Sequence, residues 1–155
     1  MFDFSEKLLP FVGRYDQILI VQSRALHDIG SSPYPTLEID DQESDKTIAT
    51  VERIWSFLME YGATRSSLLV NVGGGVVTDL GGFAAATFKR GMDYVNIPTT
   101  LLSMVDAGIG GKTGIDYGQV KNMIGAFQEP VSTIIDPRWL ATLSSQQLLS
   151  GYAEM

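Results

Sequence analysis

The chain has no cysteine and one histidine, His27. The first absence removes disulfides, thiolate nucleophiles and cysteine-held zinc together, and it accords with a reducing compartment. Any metal must be met by Asp, Glu or His27. With one imidazole, on a weak helical stretch remote from the glycine-rich loops, neither a complete zinc site nor a Ser-His-Asp triad can be written. A structural or solvent-facing role is expected for His27. No apolar run approaches the roughly 20 residues of a membrane span, and residues 1–6 lack the basic start and apolar stretch of a signal peptide. A cytoplasmic protein without a membrane partner is expected. Cations are scarce too: 11 Lys and Arg stand against 18 Asp and Glu, a net charge of −7. A nucleic-acid partner would need clustered Lys and Arg to displace counterions, so none is expected.

What is present suffices for one core. A chain of 155 residues, 45% hydrophobic, has no room for a second full-sized domain. Residues 1–65 hold 11 acids and 6 bases, whereas residues 66–125 hold 4 of each. A neutral centre in an acidic chain suits a site for phosphorylated small molecules, although uneven surface decoration accounts for it equally well.

The pattern along the chain alternates short apolar runs with helical stretches. Residues 15–22 (YDQILIVQ) are too short for a helix and read as a buried parallel strand. A short helix over 24–29, a break at Gly30-Ser31-Ser32-Pro33 and a second strand over 36–39 follow. In residues 45–61 apolar side chains recur at Ile48, Val51, Ile54, Trp55, Leu58 and Met59, the spacing of an amphipathic helix, with Gly62 placed to end it. Residues 67–72 form a strand that runs into Gly73-Gly74-Gly75, and the Ala-rich 76–88 predicts a helix. Further strands are expected over 94–97 and 132–136, stopped by Pro98 and Pro137. Between them, residues 108–125 contain six glycines and read as an ordered active-site loop region. Ser144 with Gln147 makes a capping box for a last helix. Such alternation predicts an α/β fold, a mostly parallel sheet flanked by helices. Ligands in such folds sit beyond the carboxyl ends of the strands, where the glycine turn, Pro98-Thr99-Thr100 and Asp136-Pro137 all fall.

Three glycines after a strand let backbone approach a pyrophosphate, and the next helix aims free N–H groups at the anion. The G-x-G-x-x-G template finds Thr78 at its last glycine, so tight helix packing explains the glycines as well. Asp79, placed on the first turn of that helix, reads as a dipole-complementing acid. Gly110-Gly111-Lys112-Thr113 ends like a triphosphate loop, but Asp106 stands where that motif needs glycine. Lys112 is therefore a point charge for some other anion. Lys112, Lys121-Asn122 and Arg90 form a candidate set for a phosphate and a polyol, with solvated loop cations as the alternative. Asp106, in an apolar and Gly-rich stretch, is expected to be buried. It then either caps or pairs locally or contacts substrate hydroxyls.

Six blocks in order resemble the 3-dehydroquinate synthase family: G-G-G-V-V-T-D-L-G-G-F-A-A-A-T (73–87), K-R-G (89–91), P-T-T-L-L-S-M-V-D (98–106), G-G-K-T-G-I-D (110–116), K-N-M-I-G-A-F (121–127) and S-G-Y-A-E (150–154). Glu43 and Lys46 match that family's E-x-x-K element, and residues 1–35 match in pattern only. The resemblance implies a Rossmann-like NAD-binding domain over 1–143. It also implies the start of a helical metal-binding domain over 144–155, with the remainder expected after Met155. NAD is implied on Asp41, Gln42, Glu43, Ser44, Asp45 and Lys46, on Gly75, Val76, Val77, Thr78 and Asp79, and on Thr99 and Thr100. Lys112, Lys121 and the segment Trp139, Leu140, Ala141 and Thr142 complete that set. Asp106, Lys112 and Asn122 match substrate-contacting positions. Arg90 matches a residue reaching into a neighbouring subunit's site, which implies a homodimer. Glu154 matches a carboxylate that binds the divalent metal, zinc or cobalt. The implied reaction turns 3-deoxy-arabino-heptulosonate 7-phosphate, a phosphorylated seven-carbon sugar acid, into 3-dehydroquinate and phosphate on the shikimate route. Bound NAD takes and returns a hydride.

Three positions depart from the family pattern. Gln22-Ser23 stand where the first strand usually ends in an acid suited to a ribose hydroxyl, Gln147 replaces an acid before the last helix, and Asp116 replaces an Asn. A divergent branch using another sugar phosphate to make a cyclitol, a related polyol dehydrogenase, and a non-catalytic NAD-binding module are the alternatives. With one metal-binding carboxylate among these residues, the isolated chain is expected to be inactive.

Overall fold

The computed structural model describes residues 3–28 and 32–155. Its strands are β1 (Ile18–Ser23), β2 (Thr36–Ile39), β3 (Leu68–Gly73), β4 (Asp93–Pro98), β5 (Lys112–Tyr117), β6 (Val120–Phe127) and β7 (Ser132–Thr133). Five of them form a parallel sheet in the order β2-β1-β3-β4-β7, and β5 pairs antiparallel with β6. The helices are α1 (Ile48–Glu60), α2 (Gly75–Thr87) and α3 (Ser145–Tyr152). This is the expected Rossmann-like arrangement of a mostly parallel sheet with flanking helices.

Every residue of β1 and β3 is buried, because apolar side chains leave both faces of the sheet. Leu19, Val21 and Leu69 join Val51, Ile54 and Leu58 of α1 and Leu80 and Ala84 of α2 in one core. Ile18, Ile20, Leu68 and Val70 join Phe4, Leu8, Met104 and Trp139 in the other, beneath short 3-10 turns over Ser5–Phe11 and Pro137–Thr142.

Local chemistry sets the helix ends. The Thr47 hydroxyl accepts from the Thr50 N–H, and Gly62 ends α1 at φ +64°, as expected for a left-handed cap. Asp45 lies outside the helix predicted from it. It closes a capping box with Gln42 over the 3-10 turn Glu43–Asp45. Within α2, a Cβ on Gly81 would lie 1.8 Å from Asn71 Oδ1 and one on Gly82 2.4 Å from Thr113 Cγ2. The two glycines that weaken the helix on paper let it press against β3 and β5. Ser144 and Gln147 cap α3 reciprocally, as the sequence indicated.

Several expectations need correction. The helix expected over 24–29 is a 3-10 turn, Arg24–Leu26, and its predicted end at Ile29 lies, with Gly30 and Ser31, outside the described residues. The strand expected over 132–136 ends at Thr133, because Asp136 turns to cap Pro137–Thr142 by accepting from the Arg138 N–H. Residues 108–125 are not a loop region but largely the β5–β6 hairpin. No helix among the described residues is long and apolar enough to cross a membrane.

Candidate active site

The glycine turn lies at the carboxyl edge of the sheet. Gly74 is the N-cap of the 13-residue α2, which directs free N–H groups and a positive dipole end outward from that edge. A Cβ on Gly73 would meet Val77 Cγ2 at 2.6 Å, and one on Gly74 would meet Thr100 Cγ2 at 3.1 Å. The Thr99 N–H donates to the Gly73 carbonyl at 2.9 Å. Residues 75–79, Thr99 and Thr100 are thus gathered around one turn. Ser23 adjoins it, since Gln22 pairs with Val72 across β1 and β3. The Ser23 hydroxyl donates to Asp41 Oδ2 at 2.6 Å, so Asp41 brings a carboxylate to the strand end whose own acid is missing.

The hairpin forms the facing wall. Gly118 and Gln119 sit at φ +57° and +66° between Tyr117 and Val120, a two-residue turn of the I′ kind whose twist suits paired strands. Beyond it, Ile115 pairs with Ile124 and Tyr117 with Val120, so Lys121, Asn122 and Met123 together oppose Asp116. This bulge places Asn122 at φ +53°, a conformation Asn tolerates better than most residues, with its side chain bonded to Lys46. The unpaired Asp116 N–H donates to the Lys46 carbonyl at 2.8 Å. At the far end of β6, the Tyr94 hydroxyl donates to the Gln128 carbonyl. Burial, with repulsion from Asp79 and Glu129, pushes that hydroxyl's pKa up to about 12.

Against the hairpin lies a cleft of about 480 Å³ lined by Asp79, Asp106, Lys112, Asn122 and Phe127, among others, and its Ala107 adjoins Gly75 of the glycine turn. Asp79 is the fifth residue of α2, past its first turn, so it does not act as the expected dipole acid. Instead it accepts from Lys46 Nζ at 2.6 Å, both side chains being largely buried. Burial raises the Asp79 pKa, Lys46 opposes that rise, and Glu43 and Asp106 reinforce it. Asp106 is exposed, contrary to its expected burial. Ser103–Ala107 folds as a wide π-type turn that buries Ser103 and Met104 on one side and presents Asp106 to the cleft on the other. Lys112 is exposed on the same cleft.

The other candidates are placed less uniformly. Lys121 reaches Glu43 at 3.4 Å, joining the hairpin to the turn that holds Gln42, Ser44 and Asp45. Trp139 is 1% exposed in the second core, 6.5 Å from the Phe4 ring, and Leu140 packs partly against that core. Of that segment, Ala141 and Thr142 are the exposed residues. Arg90 is exposed at φ +68° just before β4, at the opposite edge of the sheet, so it does not share the cleft. Glu154 is exposed beyond α3, which Gly151 seats against Leu101 and Leu102. Among the described residues no group of three or more His, Cys, Asp or Glu side chains is placed to hold a metal. The sequence reading missed the hairpin and the partners of Lys46. Gly118-Gln119 between two β-compatible runs was the available signal for the hairpin.

A sequence profile described as "3-dehydroquinate synthase N-terminal" matches residues 36–150. The chain is 50% identical over 121 residues to the 3-dehydroquinate synthase of Parabacteroides distasonis, covering 78% of this chain and 34% of that protein. It spans about a third of the length of the curated relatives it matches. Among solved structures it resembles ValA, the 2-epi-5-epi-valiolone synthase of Streptomyces hygroscopicus with NAD+ and Zn2+ bound, with TM-score 0.84 and 36% identity. That match covers 88% of this chain and 41% of the other. A 2-deoxy-scyllo-inosose synthase complexed with carbaglucose-6-phosphate, NAD+ and Co2+ matches with TM-score 0.85 and 25% identity, covering 99% of this chain and 45% of the other. By the profile match and the identity to its relatives, the chain belongs to the 3-dehydroquinate synthase family.

Proposed function

We propose that this chain is the NAD-binding and part of the sugar-phosphate-binding portion of an enzyme converting 3-deoxy-arabino-heptulosonate 7-phosphate to 3-dehydroquinate and phosphate. The observation that carries the reading is the cleft, in which Lys112 and Asn122 of the hairpin meet Asp79 of α2 and Asp106, about one helical turn from the glycine turn that opens α2. The residues present fit a dinucleotide. Backbone without side chains at Gly73-Gly74-Gly75, free N–H groups of α2 and flanking Thr99 and Thr100 suit a pyrophosphate. When bound, NAD would supply a reversible hydride acceptor. Residues 41–45 and Lys121 complete its edge, with the Lys46 side chain bound beneath them to Asp79 and Asn122, and Trp139 supports the segment 139–142 from the core. Lys112 and Asn122 offer a cation and an amide to phosphate and hydroxyl groups, and Asp106 accepts from hydroxyls.

Arg90 lies away from its own chain's cleft, which accords with the role the family resemblance implies for it in a neighbouring subunit's site of a homodimer. For a metal the described residues do not fit. Zinc takes about three protein ligands in a catalytic site, and Glu154 offers one carboxylate. Residues 144–155 are read as the opening of a helical, metal-binding unit of which Glu154 is one ligand.

The isolated chain is expected to bind NAD+ in a calorimetric titration, with Lys112→Ala weakening sugar-phosphate binding afterwards, and to show no turnover. Absence of NAD+ binding overturns the reading, and turnover by the chain alone overturns the assignment of the metal to residues outside it. The cyclitol-forming alternative is favoured less, because identity is 50% to the dehydroquinate synthase against 36% to the valiolone synthase.

A further inference from the structure

Lys46 is 5% exposed in a chain with few cations. Its ammonium nitrogen lies 2.6 Å from Asp79 Oδ2 and 2.5 Å from Asn122 Oδ1. An ammonium group has donors only, so it fixes which way the Asn122 amide faces. The oxygen turns to Lys46, and the NH2 group is left for the cleft that Asn122 lines. The flipped amide would set NH2 against NH3+. Two further contacts complete a ring of three residues: the Asp116 N–H donates to the Lys46 carbonyl, and the Asn122 N–H donates to the Asp116 side-chain Oδ1, each at 2.8 Å. One half of the ring, running through the Lys46 carbonyl, the Asp116 N–H and carboxylate and the Asn122 N–H, locates the bulge, and the other half, Lys46 Nζ to Asn122 Oδ1, orients one amide.

We propose that Lys46 is a positioning residue for ligand recognition, holding the Asn122 amide with its NH2 group aimed into the cleft as a donor to a phosphate or hydroxyl oxygen. The inference rests on the reading of the cleft as a sugar-phosphate site. It assigns the buried cation to the orientation of a neighbour rather than to direct charge contact with the ligand. Because Lys46 uses its carbonyl for Asp116, replacing the side chain leaves that contact intact.

The test is 15N NMR of the 155-residue chain, with the Asn122 side-chain NH2 signal identified by its loss in Asn122→Asp. In Lys46→Met the two NH2 protons are expected to move toward free-asparagine positions while the backbone amides of Asp116 and Ile124 stay in place. Lys46→Arg is expected to restore the original signal. Lys46→Met strips Asp79 of its partner, so the double variant K46M/D79N carries the test if the single one does not fold. With NAD+ present, 3-deoxy-arabino-heptulosonate 7-phosphate is expected to shift the wild-type NH2 signal. The methionine variant should need about tenfold more ligand, the loss expected when one hydrogen bond to a charged group is misdirected. An NH2 signal unchanged in K46M/D79N without ligand overturns the positioning role. A wild-type signal that moves with Lys46 substitution but ignores the sugar phosphate upholds the positioning and overturns the ligand reading.

Discussion

The parallel sheet and the hairpin are built on opposite terms. β1 and β3 bury every residue, whereas β6 exposes nearly all of its own. It is held through its partner β5, whose Thr113 and Ile115 are buried, through Ala126 against the core, and through polar ties such as Thr113 to Ala126, Tyr94 to Gln128 and the Lys46 ring. Close packing on two faces makes the sheet a rigid floor, and the polar residues of the cleft concentrate on the wall that packs least. Stability and recognition are therefore separable here. Damage to the floor should unfold the chain, and damage to the wall should spare the fold and remove binding.

The largest expected effect comes from the floor. Trp139→Ala empties a fully buried site beside Phe4 and should cost about 3–5 kcal/mol of stability, read as a lower midpoint in urea unfolding. If the variant kept its midpoint and lost only NAD+ affinity, Trp139 would belong to the wall's side of the comparison. Gly125→Ala tests the wall. A Cβ there would lie 2.1 Å from the Thr113 carbonyl oxygen, so the two strands must part. Local overpacking of this kind costs about 1–3 kcal/mol. Sugar-phosphate binding should vanish while the unfolding midpoint moves less than in Trp139→Ala, and the reverse ranking would break the comparison.

Two carboxylates extend the contrast to pH. The Arg138 guanidinium, aided by the Lys7 ammonium, holds the Asp136 carboxyl far below its ordinary pKa of 3.8 against the opposing effect of burial. A depressed native pKa means stability that is present above 3.8 and lost as pH falls below it. Asp79 in the cleft has the opposite sign: burial raises its pKa, so it lowers stability as pH rises through the range above 3.8. Unfolding midpoints measured against pH should lose part of their acid-side decline in Asp136→Asn, the remainder staying with Asp16 and Asp3. In Asp79→Asn they should lose a decline that runs the other way. Matching slopes in both variants would erase the distinction.

The same contrast explains what could be read from the sequence. β2 and the amphipathic span of α1 were legible because apolar period and capping residues act within a few positions, as did Gly62 and the Ser144–Gln147 box. The hairpin was not, because its glycines resemble a loop and its I′ turn lacks the usual Asn-Gly. Gly114 and Gly125 serve strand contact, with Cβ positions 2.9 Å and 2.1 Å from facing carbonyl oxygens. Asp106 was misjudged as buried because neighbouring apolar residues do not reveal which side of a π-type turn faces solvent. Lys46 and Asn122 were picked out as site residues, but their pairing across 76 positions is a tertiary fact that local spacing does not encode.

The smallest effect is a gain. Gln119 is held at φ +66° in the hairpin turn, where a side chain costs about 1–2 kcal/mol relative to glycine. Gln119→Gly removes that strain but adds backbone entropy to the unfolded chain, leaving a net benefit of about 0.5–1 kcal/mol. If the wall is a separately stabilised unit, the gain should appear as slower amide exchange confined to β5 and β6, with the exchange of β1 and β3 unchanged. Exchange slowed equally in sheet and hairpin would mean that the two open together, the buried Thr113 and Ile115 of β5 then coupling wall to floor.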